Sequence, residues 1–447
     1  MNGGLSMVEM KSGYKMTEVG VIPEDWEVCE LKNHLVLLTD YDANGSFADM
    51  ASNVVTTTGN GYAWYVRATD LEQQSSLSEV KYVDEKSYRF LRKSTLYGGE
   101  VLLAKRGEIG KVYYFQMKTK RATLAPNLYL LKLKDTINSY FLFSLFKSTF
   151  GQNLLKSINA STSLGAIYKD DVKGLNILIP PFEEQASIAT ALSDVDSLIS
   201  TLTKKIMKKK AIKQGLMQQL LTGKKRLPGY EKNRESVQTE WGAIPKDWKT
   251  LSIGKCCSIK ARIGWQGLKK SEYQSSGEYV LVTGTDFLNG RIDWKSCVYV
   301  SKKRYEQDSN IQIVKHDILI TKDGTIGKVA FLDDVPCLGT LNSGIFVVRS
   351  HSKELDQSYL SKIFKSFIFD AFLESLVAGS TINHLYQKDF VHFNFPVPPT
   401  ISEQTAIANI LSDCDSEIAA LEEKRDKYKE IKQGMMQQLL TGKIRLI

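Results

Sequence analysis

The chain has 447 residues, 43% hydrophobic and 24% charged, the balance of a folded protein and more sequence than one ordinary core can hold. Its formal net charge of +9 favours a polyanionic partner, because each Lys or Arg set against a phosphate releases a condensed counterion. No run approaches the roughly 20 apolar residues that span a bilayer, and MNGGLSMVEMKSGYK lacks a secretory signal's apolar core, so a cytoplasmic chain with no membrane partner is expected.

In chain order, residues 1–23 form an N-terminal segment leading into TEVGVIPEDW (Thr17 to Trp26). Residues 24–180 form a first globular body. Apolar runs such as Val101-Leu102-Leu103, bounded by glycine turns, read as strands, and FLFSLFKSTFGQNLL (Phe141 to Leu155) has helical spacing, so the body is mixed α/β. Residues 181–227 carry a long helix in which Ile188, Leu192, Val195, Ile199, Leu202 and Ile206 alternate spacings of four and three, the pattern of a heptad seam. A linker, 228–245, precedes a second body, 246–399, with strand-like Ile318-Leu319-Ile320 and helical YLSKIFKSFIFDAFLESL (Tyr359 to Leu376). Residues 400–447 form a second long helix, with Ile407, Leu411, Cys414, Ile418 and Leu421 at the same seam positions. Thr400 and Glu403 suggest a capping box, Glu183 and Glu184 suit the positive end of the first helix, and Gly223 and Gly442 stand where C-caps belong. Each helix should run about 40 residues, hence roughly 60 Å.

These elements are written twice. TEVGVIPEDW returns as TEWGAIPKDW (Thr239 to Trp248); EQASIATALSDVDSLI from Glu184 returns as EQTAIANILSDCDSEI from Glu403; IKQGLMQQLLTGK from Ile212 returns as IKQGMMQQLLTGK from Ile431. Inside the bodies only outlines repeat: GEIGKV (Gly107 to Val112) with GTIGKV (Gly324 to Val329), YVRATDL at Tyr65 with LVTGTDF at Leu281, STSLGAIYKDDV at Ser161 with STINHLYQKDFV at Ser380. A shared scaffold with divergent surfaces is what a duplicated recognition module looks like. The expected fold is α+β: two mixed α/β bodies related by pseudo-twofold symmetry and joined by two long antiparallel helices forming a coiled coil. Centring the helix pair at Leu202 and Leu421 sets Gly215 against Ala408 and Gly434 against Ala189, where small residues would allow close approach. The run Lys204, Lys205, Lys208, Lys209, Lys210 reads as a solvated helix face.

Candidate DNA contacts are polar and basic residues in expected loops: Arg67, Lys105, Arg106, Lys111 and Lys169 in the first body, and Arg262, Gln266, Lys269, Lys322, Lys328, His384 and Gln387 in the second. Arg and Gln can read base edges, whereas Lys mostly positions the backbone. The two Gly-x-x-Gly-Lys segments are hairpin turns, because a phosphate loop needs a longer spacing and a hydroxyl after the Lys, where this chain has Val. Ile179-Pro180-Pro181-Phe182 imitates a methyltransferase tetrapeptide without its polar residue, and reads as the lead into a helix. An enzymatic rival is a metal-dependent nuclease, with Asp70 and Glu79-x-Lys81, or Asp286 and Asp293-x-Lys295, holding Mg²⁺. The cysteines and histidines do not fall at metal-ligand spacing, and no metal or catalytic residue is expected in this chain.

IPPFEEQASIATALSDVDSLI and PVPPTISEQTAIANILSDCDSEI, each followed by IKQG-x-MQQLLTGK, resemble the conserved regions of type I restriction–modification specificity subunits. GVIPEDW, GAIPKDW, ARIGWQGLKKSEY at Ala261 and LVTGTDFLNGRIDW at Leu281 resemble that family's target recognition domains. The resemblance covers nearly the whole chain. It implies a non-catalytic subunit in which each body reads one half of a bipartite double-stranded DNA site and the helices set the spacer. It further implies two docked modification (methyltransferase) subunits and added restriction/translocase subunits. S-adenosylmethionine, ATP and Mg²⁺ would belong to those partners and none to this chain. Two alternatives are a DNA-binding scaffold of a methyltransferase-only or other defence complex, and the nuclease.

Overall fold

A computed structural model describes residues 12–73, 75–107, 109–159, 165–231, 235–377 and 384–446. The chain divides into two compact units that do not follow its linear order: unit 1 is 1–203 together with 423–447, and unit 2 is 204–422.

Each unit is built on a four-stranded antiparallel sheet. In unit 1 the order is Val112–Tyr114, Val101–Ala104, Leu128–Leu133, Leu35–Asp40; in unit 2 it is Val329–Phe331, Ile318–Thr321, Ile345–Ser350, Cys257–Lys260. The central strands are mainly apolar, with Lys132, Arg349 and Ser350 only at their half-buried ends, because both faces are covered. Val101 and Leu103 point into a core with Phe141, Leu142 and Leu145, while Leu102 and Ala104 point into another with Trp64 and Phe115. Ile318 and Ile320 likewise face Tyr359, Leu360 and Ile363, and Leu319 faces Val280 and Val282. On one side lie helices Ser139–Lys147 and Thr149–Ser157, or Gln357–Phe364 and Phe367–Val377. Asn138 and Asp356 start the first of each pair by accepting from backbone N–H groups. On the other side is a second sheet containing a parallel pair, Ala63–Val66 with Ala122–Leu124 in unit 1 and Tyr279–Val282 with Leu338–Leu341 in unit 2. The two segments matched at Tyr65 and Leu281 are therefore the same strand of the repeat.

The long helices run Phe182–Leu220 and Ile401–Leu439. In unit 1 the start of the first packs Ile188, Ala189 and Leu192 with Leu439 and Leu440 from the end of the second. In unit 2 the roles exchange: Ile407, Ala408 and Leu411 pack with Met217, Leu220 and Leu221. The segments are antiparallel in each unit, and Asp196–Lys432 at 2.7 Å in unit 1 is the repeat image of Asp415–Lys213 at 2.5 Å in unit 2. Of the seam residues, Ile188, Leu192, Leu202, Ile206, Ile407, Leu411 and Ile418 are buried, and Val195, Ile199, Cys414 and Leu421 are half-buried.

The expected register needs correction. The two ion pairs bring Leu220, not Gly215, opposite Ala408, and the space beside both Gly215 and Gly434 is open, so no close approach is made through small residues. Of the basic run, Lys204, Lys205, Lys208 and Lys210 are exposed and Lys209 is half-buried, a solvated face on which Lys209 also pairs with Glu417 and Lys210 with Glu422. The capping box is half-formed. Thr400 accepts from the Glu403 N–H at 3.2 Å, but the Glu403 carboxylate is turned to Arg226.

That arginine explains the repeated openings. Arg226 lies just past the end of the first helix, and its guanidinium forks onto Glu403 at 2.6 and 2.8 Å and reaches Asp247 of Ile-Pro-Lys-Asp-Trp at 3.0 Å. Arg445, just past the second helix, forks onto Glu184 at 2.7 and 2.8 Å and reaches Asp25 of Ile-Pro-Glu-Asp-Trp at 2.7 Å. Hydrogen bonding to Arg445 holds the Asp25 carboxyl below its usual range. Gly223 and Gly442 end the helices at φ 66° and 69°, and a Cβ there would come within 2.6 Å of Pro245 or 2.4 Å of Pro23. Each half's opening motif is thus the socket for the tail of the other half's helix.

Candidate nucleic-acid interface

At one end of each four-stranded sheet, three loops distant in sequence are knitted together. The first is the hairpin turn 105–111, with Gly107 and Gly110 at φ 86° and 93°; its counterpart is 322–328, with Gly324 and Gly327 at 68° and 82°. These angles favour glycine and make tight turns between paired strands, as the sequence indicates. The second loop precedes the next strand: Lys105 N–H donates to Asn127 O at 3.0 Å, and Lys322 N–H to Gly344 O at 2.8 Å. The third donates back, from Ile167 N–H to Lys105 O at 3.1 Å and from Leu385 N–H to Lys322 O at 2.8 Å. Bridges Arg106–Ala166 and Asp323–His384 close the set in each unit.

The side chains on this frame differ. In unit 1, Lys105 is 7% exposed, with its ammonium 2.9 Å from Asp40 and 2.5 Å from Asp42, and Lys169 reaches Asp40 at 2.8 Å. Burial pushes the Asp40 carboxyl up, but hydrogen bonds from Lys169 and Lys105 outweigh it and hold the group below its usual range. Arg106 is exposed, and Lys111 pairs with Glu72 at 3.0 Å. Arg67 ends the strand whose Val66 O accepts from Ala125, and its guanidinium grips Asp70 at 2.5 Å. In unit 2, the Lys322 ammonium lies 5.2 Å from the Phe346 ring centre, Lys328 is half-buried, and His384 pairs with Asp323. Gln387 is exposed and donates to Ile259 O at 3.3 Å.

The remaining candidates of the second body lie outside the knitted loops. Arg262 is 2% exposed and donates to Leu341 O at 2.8 Å and Thr340 Oγ1 at 3.1 Å, so it braces the sheet; burial pulls its guanidinium below the ordinary value. Gln266 is buried and Lys269 is exposed. The acids of the nuclease rival are turn-formers. Asp70 and Asp286 are buried and accept from the N–H of Arg67 at 3.2 Å and of Thr283 at 2.7 Å, at matching places in the repeat. Glu79 accepts from Ser76, and Asp293 from the Lys295 N–H. Among the described residues no group of three or more His, Cys, Asp or Glu could hold a metal, and no helix is long and apolar enough to cross a membrane.

Sequence reasoning missed Arg226 and Arg445, although TGKKR and TGKIR carried the signal two residues beyond the repeat it quoted. It also missed Lys388, whose ammonium lies 5.5 Å from the Tyr386 ring in the third loop of unit 2.

A duplicated α/β head, a repeated three-loop edge and a reciprocally clamped helix pair define a two-headed recognition protein. The family described as the type I restriction modification DNA specificity domain matches residues 23–213 and again 245–433, and the chain belongs to it: it is a DNA-recognition subunit, not the catalyst. Over 98% of this chain and 97% of the relative, it is 29% identical to a Methanocaldococcus jannaschii protein provisionally named the type I restriction enzyme MjaX specificity subunit. It is 24% identical to the MjaVIII specificity subunit of the same organism, over 95% and 94% of the two chains. The fold is shared with the crystal structure of a type I restriction–modification S subunit from M. genitalium, at TM-score 0.61 and 14% identity, covering 93% of this chain and 96% of that one.

Proposed function

We propose that each unit presents its three-loop edge to one half of a split double-stranded DNA site. The observation that carries this is a backbone edge built twice while its side chains diverge, which is what two different half-sites require of one scaffold. Arg67, Arg106, Lys111 and Lys169 supply the contacts of unit 1, and Lys269, Lys322, Lys328, His384 and Gln387 those of unit 2. Lys105, Arg262 and Gln266 act as internal supports. The helix pair sets the spacer and docks two modification subunits, which use S-adenosylmethionine to methylate adenine. Restriction subunits driven by ATP and Mg²⁺ complete a cytoplasmic assembly.

Exchanging only residues 25–178 for those of a relative tests this reading. Methylated-adenine maps should show one half-site changed and the other kept; a change in both would sink it. Adding one heptad to both helices should lengthen them by about 10 Å and widen the spacer by roughly 3 base pairs at about 3.4 Å each. An unchanged spacer would remove the helices' measuring role.

A further inference from the structure

The third loop carries the same large side chain at the same place in both units. Ile167 and Leu385 are buried and donate their N–H groups to the first loop; the next residue is Tyr168 in unit 1 and Tyr386 in unit 2. Tyr168 is 61% exposed and Tyr386 54%. Neither ring is held by burial. Structural tyrosines in these units look different. Tyr129 and Tyr359 are buried with their hydroxyls bonded to Ile167 O and Pro396 O, and Tyr129 thereby fixes the residue that precedes Tyr168.

Cationic side chains border both loops. The exposed Arg106 is bridged to the loop of Tyr168, whereas the Lys169 ammonium turns inward to Asp40. The Tyr386 ring lies 4.5 Å from that of His384 and 5.5 Å from the Lys388 ammonium. A rigidly presented aromatic body with a polar tip and cationic flanks fits a nucleotide: the ring covers sugar or base, and the hydroxyl donates to a phosphate oxygen. The backbone is extended at both residues and turns directly into a short helix, so neither ring is carried on a loose tip. We propose that Tyr168 and Tyr386 are direct DNA contacts, one for each half-site. The assignment rests on the DNA-reading role proposed above and adds the specific residues.

The test uses the full chain in complex with its modification subunits and sheared duplex DNA from the source organism, sequenced after selection. The parent complex should enrich one split motif. Tyr168→Ala should lose enrichment of one half-site and weaken binding about tenfold, the scale of one hydrogen-bonded contact. Tyr386→Ala should do the same at the other half-site. Tyr97→Ala, at a tyrosine 71% exposed and outside the three loops, should bind as the parent does. A photoreactive phenylalanine at 168 or 386 should cross-link to the matching half-site only. If both alanine variants keep both half-sites within twofold, or Tyr97→Ala weakens binding equally, the tyrosine assignment is overturned while DNA reading stands. If the parent enriches no split motif, the assignment and the reading beneath it fall together.

Discussion

Lys105 and Lys322 occupy the same place in the two loop edges, with the same backbone bond and an aromatic ring beneath each ammonium, Tyr129 at 5.7 Å and Phe346 at 5.2 Å. Yet Lys105 is held by Asp40 and Asp42, while among the described residues no carboxylate pairs with Lys322. The difference lies in the neighbouring strand. In unit 1 Asp40 stands opposite Tyr129; in unit 2 the strand ends with Lys260 opposite Val347, and Ala261 follows. Asp40 and Asp42 together make Lys105 an internal brace, while Lys322 stays half-buried. A basic residue in such a loop therefore says little until the acids beneath it are known.

Where the units agree in residues they should agree in energy, and this can be broken first. Arg226→Ala and Arg445→Ala each leave a buried glutamate without its charged partner, Glu403 at 1% or Glu184 at 3% exposed, although Glu184 keeps a hydrogen bond from Trp26 Nε1 at 2.9 Å. Each should destabilise its unit by about 3 kcal/mol in urea unfolding. A large cost at one and none at the other would mean the clamps are not equivalent.

Where the units differ, the costs should separate. Lys105→Ala should destabilise unit 1 by about 2 kcal/mol, since Asp40 keeps only Lys169, and Lys322→Ala by less than about 1 kcal/mol. The pH dependence follows in sign. The folded-state pKa of Asp40 is depressed, so its contribution is full above the ordinary value of about 3.9 and is lost as pH falls through the depressed value. Asp40→Asn should flatten that acid limb in thermal melts, and an unaltered limb would show that the lysines do not hold the carboxylate.

DNA binding should reverse the ranking. Lys322→Ala should reduce the slope of log affinity against log salt by about one, the effect of one lost phosphate contact, and Lys105→Ala should leave it alone. Equal slopes would erase the distinction. The smallest effect concerns the helices: Gly215→Ala and Gly434→Ala, with open space at each Cβ, should each stabilise the chain by about 0.5–1 kcal/mol. Destabilisation instead would restore the close approach that the register excludes.

The elements legible in the sequence are those written in adjacent residues. Heptad spacing marks the two long helices, positive-φ glycines mark Gly107, Gly110 and the C-caps, and apolar runs mark strands covered on both faces. What was not legible is pairing across long separations. Asp40 meets Lys105 across 65 residues, Arg226 meets Glu403 across 177, and Arg445 meets Glu184 across 261. No local spacing predicts which acid lies under which base. The same ignorance shifted the helix register, because Asp196–Lys432 and Asp415–Lys213 fix it where the hydrophobic seam alone tolerates several alignments.

The unequal composition of the two units bears on how the chain is made. Unit 2 is a single stretch, 204–422, but unit 1 cannot be finished until 423–447 arrive. During synthesis Ile188, Ala189 and Leu192 wait for Leu439 and Leu440, and Glu184 waits for Arg445. At roughly 5–20 residues per second, that delay is on the order of 10–50 s. Domains ordinarily fold in the order they leave the ribosome; here the half translated first is completed last, and an interrupted chain would keep its apolar helix face uncovered.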